Sequence, residues 1–180
     1  VHMAAETHVD KSIEDPMPFV TSNVVGTAQL LEYARYLTLT ESLRKRGCAG
    51  YPNMAPIVLK KFIYFSTDEV FGPAPEGTLY KEWDRYNSGN PYAATKAGGE
   101  ELCLAYANTY KIPDTITHTM NAFGERQHPE KFIPSTIRKI LRGEEVVIHA
   151  NKDLTKSGSR FYIHCRNIAS AILALLDKGN

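Results

Sequence analysis

An α/β fold built on a parallel sheet is what this sequence predicts, and three stretches predict it. Phe62 to Phe65 is an apolar run of aromatic and β-branched residues that ends in the polar cluster Ser66-Thr67-Asp68-Glu69. A buried parallel strand that delivers functional groups at its C-terminal edge reads this way. One polar loop later, Asn90-Pro91-Tyr92-Ala93-Ala94-Thr95-Lys96 reads as a helix start. Asn90 caps, Pro91 suits the first helical position, and the alanines propagate the helix. After Pro113, the stretch Thr115 to Met120 alternates and is rich in β-formers, so it is the next strand. It too ends in polar groups: Asn121, Arg126, Gln127 and Lys131. Strand, helix and strand in this order imply right-handed crossovers, with helices on both faces of the sheet.

The remaining elements follow in chain order. Val1 to Asp10 reads as the end of a strand and a functional loop, in which small Ala4 and Ala5 let backbone approach a ligand. His8, taken alone, reads as a loop histidine capped by Asp10. From Pro16 to about Leu37, Phe19, Val20, Asn23, Val24, Thr27, Leu30, Leu31 and Ala34 recur at helical spacing, which predicts a long amphipathic helix. Gly26 inside it costs up to about 1 kcal/mol relative to Ala, which predicts close packing there. Thr38 to Lys61 reads as a surface excursion, with Arg44, Lys45 and Arg46 as a solvated helix end. The loop Pro73 to Asn90 is polar, and Trp83 is expected to pin it down. The helix from Tyr92 to about Tyr110 carries Leu102, Ala105 and Tyr106 on an apolar face. Further on, the pattern predicts a helix at Ile133–Leu141 ended by Gly143, strands at Val146–His149 and Phe161–His164, a polar loop at Asn151–Ser159, and a helix at Ile168–Leu176.

With 180 residues the chain can build one sizeable core, and a net charge of +1 without a basic stripe gives no reason to expect a nucleic-acid partner. The apolar stretches fall short of a bilayer span, and the first residues do not form a signal peptide. Three widely spaced cysteines, Cys48, Cys103 and Cys165, form no C-x-x-C and fit a reduced, cytoplasmic protein. The six histidines show no metal-ligand spacing, so no metal is expected.

Chemistry concentrates in one set. Tyr92 and Lys96 are four apart and share a helical face; Thr67, Asp68 and Glu69 sit at the strand tip, and the five are expected to line one cleft. A tyrosine is a poor base at neutral pH unless a neighbouring ammonium favours its phenolate. Two adjacent carboxyl groups can divide acid and base roles if their surroundings separate their pKa values. A lone Y-x-x-x-K is common, and Asp68-Glu69 alone would be a solvated turn. The combination is what carries the reading.

S-T-D-E-V-F-G and N-P-Y-A-A-T-K-A-G-G-E resemble the active-site segments of extended short-chain dehydrogenase/reductases. The T-D-E triplet is similar to that of the nucleoside-diphosphate-glucose 4,6-dehydratases, above all the dTDP-glucose family, and the resemblance runs through nearly the whole chain. It implies Thr67, Asp68, Glu69, Tyr92 and Lys96 as catalytic residues. It implies NAD as cofactor, near Ala4, Ala5, Ser66, Tyr92 and Lys96. It also implies Thr7, His8, Asn121, Lys131, Phe132 and Arg160 as contacts to a nucleotide sugar. Asn23 matches an asparagine that supports the active-site strand. Read without the resemblance, Asn121 caps a turn and Arg160 is equally a surface arginine, although a guanidinium suits a diphosphate because its donors fork onto phosphate oxygens. Cys165 stands where the family usually has an acidic or polar residue, and takes no role.

The implied reaction converts a nucleoside-diphosphate glucose, dTDP-glucose first, to the 4-keto-6-deoxy sugar with loss of water and no net redox change. UDP-glucose dehydration, 4-epimerisation and a non-catalytic nucleotide-sugar-binding role remain as alternatives. The implied architecture is a Rossmann-like doubly wound sheet over residues 1–121 and part of a smaller substrate domain over 122–180, with about 160–180 free to return to the first sheet. The sequence contains no G-x-G-x-x-G turn to hold a pyrophosphate. The expectation is therefore an internal piece of a longer enzyme, inactive by itself. The resemblance also implies a homodimer paired through Pro16–Leu37 and Tyr92–Tyr110, with no membrane partner.

Overall fold

The computed structural model describes residues 1–47 and 58–178, so Cys48 and the centre of the Thr38–Lys61 excursion lie outside the described residues. The chain divides into two compact units, Val1–Thr119 and Met120–Asn180.

In the first unit β1 (Phe62–Thr67) pairs in parallel with β2 (Asp114–Thr119), in register from Phe62 opposite Asp114 to Thr67 opposite Thr119. His2 bridges the opposite edge of β1: its N–H donates to Ile63 O at 2.7 Å, and Phe65 N–H donates to His2 O at 3.0 Å. The first residues thus make one isolated parallel bridge to β1, where their pattern predicts the end of a strand. Every β1 residue except half-buried Phe65 is buried, which accounts for its unbroken apolar run.

The helical region before β1 is more articulated than its periodicity suggests. It consists of α1 (Val9–Glu14), the short α2 (Met17–Phe19), a π-helical turn at Val20–Val25 and α3 (Gly26–Lys45). The single helix predicted for Pro16–Leu37 therefore opens with a wide turn and continues two turns further. Ion pairs of Glu41 with Arg44 (3.0 Å) and Lys45 (3.5 Å) lie in the extension, and Arg44 and Lys45 occupy its last turn. Gly26 does not mark a close approach, since a Cβ there would only touch Thr21 O at 3.8 Å. The close approach lies at Gly99. A Cβ there would overlap the Tyr64 hydroxyl and stand 2.7 Å from Tyr64 Cζ.

Helix α4 (Pro91–Tyr110) starts as its sequence dictates: the Asn90 side chain accepts from Ala93 N–H at 2.8 Å, and Pro91 takes the first position. It packs on β1, β2 and α3. The core joins Leu31 and Ala34 of α3, Phe62 and Tyr64 of β1, Cys103 of α4, and Ile112. Between β1 and α4 a 3₁₀ turn (Asp68–Phe71) ends at Gly72, whose φ of 75° only glycine adopts readily. Trp83 does not pin the following loop, because it is 79% exposed. Tyr80 and Tyr86 do so, each with its ring centroid 5.6 Å from that of Phe71.

The second unit pairs β3 (Asn121–Phe123) with β4 (Tyr162–His164) in parallel and adds α5 (Phe132–Leu141) and α6 (Cys165–Lys178). Gly143 follows α5 at a φ of 67°. No strand forms at Val146–His149: Val147 and Ile148 are exposed, and β-propensity without a pairing partner does not make a strand. Among the described residues no helix is long and apolar enough to cross a membrane.

Candidate active site

The end of β1 and the first turn of α4 bring Thr67, Asp68, Glu69 and Tyr92 together in the first unit, and Lys96 lies one turn further along α4. Thr67 is buried and caps the 3₁₀ turn, with its Oγ1 accepting from Glu69 N–H at 3.3 Å. Asp68 and Glu69 are half-buried at the turn's start. The Asn90 side chain that caps α4 also donates to Glu69 Oε2 at 3.2 Å, so one residue fixes both the helix start and the carboxylate. Tyr92 N–H donates to the fully buried Ser12 Oγ at 3.1 Å, which ties α1 to the same helix start.

The electrostatics differ from the sequence expectation. Burial, and then the Glu69 carboxylate, push the Tyr92 phenol up to about 12; a hydrogen bond with Thr67 acts the other way, and Asp68 adds to the upward push. Lys96 is not what sets this value. Its ammonium lies 4.1 Å from the centre of the Tyr64 ring, only 3% exposed, and burial pulls it down to about 8 against the opposing charge of Glu100. The pair therefore shares a helical face as its spacing requires, but the ammonium rests on an aromatic ring.

A second polar layer lies beneath, and sequence patterns missed most of it. Asn23 on the π-helical turn accepts from Glu6 N–H at 2.8 Å and donates to Glu6 O and Thr95 Oγ1, both at 3.0 Å. It holds the N-terminal loop against α4 rather than acting on β1 directly. Glu100, fully buried, accepts from Ser66 and Tyr86 and lies 2.8 Å from His118 Nε2. The one available signal was a glutamate four residues after Lys96, on the same helical face.

The expected cofactor contacts also fall in this unit. Ala4 is exposed, Ala5 half-buried and Ser66 buried. Ala4, Ala5, Ser66, Tyr92 and Lys96 are the residues that could hold a cofactor in this unit, with the Lys96 ammonium resting on the Tyr64 ring. Thr7 is exposed, and half-buried His8 caps α1, its Nδ1 accepting from Lys11 N–H at 3.5 Å.

The other expected substrate contacts belong to the second unit. Asn121 Nδ2 donates to Phe161 O at 3.4 Å, so strand pairing sets Asn121 beside the residue after Arg160. Arg160 is exposed, with its guanidinium turned to Ser159 O at 3.0 Å. Lys131 precedes α5 as its N-terminal cap residue, and Phe132 opens the helix half-exposed. Glu125, His164 and Cys165 place ligand-type atoms within 4.8 Å of one another, but Arg166 already pairs with Glu125 at 2.5 Å.

The whole chain, residues 1–180, matches the NAD dependent epimerase/dehydratase family. It is 35% identical over 192 residues to a dTDP-D-glucose 4,6-dehydratase of Dictyostelium discoideum, covering 99% of this chain and 38% of that protein. Among solved structures it superimposes on the dTDP-glucose 4,6-dehydratase DesIV of Streptomyces venezuelae, crystallised with NAD, with a TM-score of 0.79 and 31% identity, covering 99% of this chain and 48% of that one. It also superimposes on a UDP-glucuronic acid 4-epimerase of Bacillus cereus, with a TM-score of 0.80 and 25% identity, covering 100% of this chain and 49% of that one. The chain thus spans half or less of the length of these relatives. On the match along its full length, the chain belongs to the NAD dependent epimerase/dehydratase family.

Proposed function

We propose that this chain carries the catalytic centre of a nucleoside-diphosphate-glucose 4,6-dehydratase, acting on dTDP-glucose, with NAD as cofactor. The observation that carries the reading is the pair of carboxylates at the tip of β1. Glu69 and Asp68 stand close enough to Tyr92 to push its phenol up, so two acid–base groups share the tyrosine's surroundings. An epimerisation needs Thr67, Tyr92 and Lys96 alone; an elimination needs a further base and a further acid.

Bound NAD supplies a reversible hydride acceptor that returns to its starting state each cycle. Tyr92, hydrogen-bonded to Thr67, accepts the proton of the sugar O4. Lys96, on the same face, provides positive charge beside the developing phenolate once the cleft is filled. Glu69, oriented by Asn90, removes the proton at C5, which the new ketone makes acidic. Asp68 protonates the C6 hydroxyl as it leaves as water. We assign Asn121, Lys131 and Arg160 to the diphosphate, Phe132 to the nucleotide sugar, and Thr7 and His8 to the sugar.

Two helices also carry exposed apolar side chains suited to a second copy: Leu30, Tyr33, Tyr36 and Leu39 on α3, and Leu104 and Tyr110 on α4. We assign to them the pairing of a homodimer. The likeness to a 4-epimerase supports epimerisation as the second reading, and UDP-glucose is the alternative substrate. The test offers dTDP-glucose, UDP-glucose and free glucose to the protein carrying this sequence at its full length. Formation of a 4-keto-6-deoxy sugar from a nucleotide glucose, with none from free glucose, is the expected result. A 4-epimer as sole product, or turnover of free glucose alone, would overturn the reading.

A further inference from the structure

The proposed mechanism leaves one buried carboxylate without a task. Glu100 lies on α4 one turn after Lys96 and is 0% exposed. Burying a carboxylate is expensive unless its oxygens are paired. Here Ser66 donates to Oε1, Tyr86 donates to Oε2, and His118 Nε2 lies 2.8 Å from Oε2.

These partners come from β1, from β2 and from the loop before α4. Ser66 immediately precedes Thr67, Asp68 and Glu69. His118 sits opposite Ser66 in the β1–β2 register. Tyr86 belongs to the loop that returns from the strand tip to α4, and its ring packs against Phe71 and His118. Networks of this kind add little stability over a well-packed apolar group, so the return from this one is geometric.

We propose that Glu100 is a positioning residue of the active site, whose buried carboxylate locks the tip of β1, β2 and the Tyr86 loop onto α4 and so sets Thr67, Asp68 and Glu69 against Tyr92 and Lys96. The local charges agree with this role. The groups around the Lys96 ammonium are Glu100 and Cys103 of α4, Tyr64 of β1 and His2 of the N-terminal segment, and Glu100 opposes the loss of its proton. Tyr92, one turn before Lys96, completes the face.

The role rests on the dehydratase reading, so the test has one arm that depends on turnover and one that does not. Glu100→Gln keeps the size of the side chain and removes its charge. In the protein carrying this sequence at its full length, kcat for the nucleotide glucose is expected to fall on the order of 10²-fold with KM unchanged, because misplacement by an ångström costs about that much. Independently of turnover, ¹³C-lysine NMR should show Lys96 titrating at lower pH in Glu100→Gln, and amide exchange at Thr67–Glu69 should quicken.

Loss of activity that merely tracks the folded fraction, with Lys96 titration and Thr67–Glu69 exchange as in the wild type, would overturn the proposal. If the wild type turns over no nucleotide sugar, the functional reading fails while the titration and exchange still decide the role of Glu100. If Glu100→Gln does not fold, Tyr86→Phe decides, since it removes one donor and keeps the carboxylate. Faster exchange at Thr67–Glu69 supports the proposal, and wild-type exchange overturns it.

Discussion

The two units of this chain treat polar groups in opposite ways. Among the described residues of Val1–Thr119, nine polar or charged side chains are buried, from His2 to Glu100, and hydrogen bonds among them tie the N-terminal segment to α3, the π-helical turn to α4, and β1 to α4. Among the described residues of Met120–Asn180 no polar side chain is buried as a whole, although Gln127 Oε1 is shielded; Ile168 is the one buried apolar residue, and Leu141, Leu154 and Phe161 are 81%, 82% and 69% exposed. Buried networks fix angles and distances; exposed side chains on short elements adapt to a ligand. The proposed function would put bond-making chemistry in the first setting and substrate contacts in the second. Five substitutions test that division.

The largest expected effect comes from removing the base of the first unit. Tyr92→Phe should lower turnover of the nucleotide sugar by about 10²–10⁴-fold with little change in KM. Arg160→Ala, in the second unit, should instead raise KM by about 10–100-fold and spare kcat, as loss of a charge-assisted contact to the diphosphate does. Steady-state kinetics on both variants would break the division if the two effects were exchanged.

Next comes the buried ammonium. Burial holds Lys96 at about 8 in the folded chain, below its ordinary value, so between these two pH values the unfolded chain binds more protons than the folded one. Stability should therefore rise with pH from about 8 upward. Above about pH 9 Cys103 offsets this rise, because burial raises its thiol to about 12 and the folded chain then keeps a proton that the unfolded one loses. Lys96→Met should abolish the rise and stabilise the chain at pH 7 by at most about 3 kcal/mol. Urea titrations between pH 7 and 9 measure both.

The smaller effects concern two glycines. Gly99→Ala forces a methyl against the buried Tyr64 ring and should cost about 1–3 kcal/mol or more. Gly143→Ala meets no neighbour within 4 Å but sits at a φ of 67°, and should cost about 1 kcal/mol. Equal destabilisation in thermal melts would mean that packing around α4 is looser than described.

Residues with a strong local signature were legible in the sequence. The run Phe62–Thr67 and the cap Asn90-Pro91 specify β1 and the start of α4 without reference to the rest of the chain, and both form as read. What a local pattern cannot carry is a partner distant in sequence. Glu100 and His118 look like ordinary polar residues until the fold sets them 2.8 Å apart. Ser12 finds Tyr92 N–H eighty residues away. Tyr86, rather than the larger Trp83, anchors its loop because Phe71 is within its reach. The same gap explains the resting place of Lys96, since the i, i+4 spacing fixed its face but not the Tyr64 ring beneath it.

The central claim is that Glu69 acts on the sugar after Tyr92 has done so. Glu69→Gln in the protein carrying this sequence at its full length, mixed with nucleotide glucose in deuterated solvent, tests it in a single turnover. The account predicts that NADH absorbance still appears while exchange at C5 slows by about 10²–10⁴-fold and dehydration stops. Wild-type C5 exchange and dehydration in this variant would contradict it, and would leave Thr67, Tyr92 and Lys96 as the whole of the catalytic set.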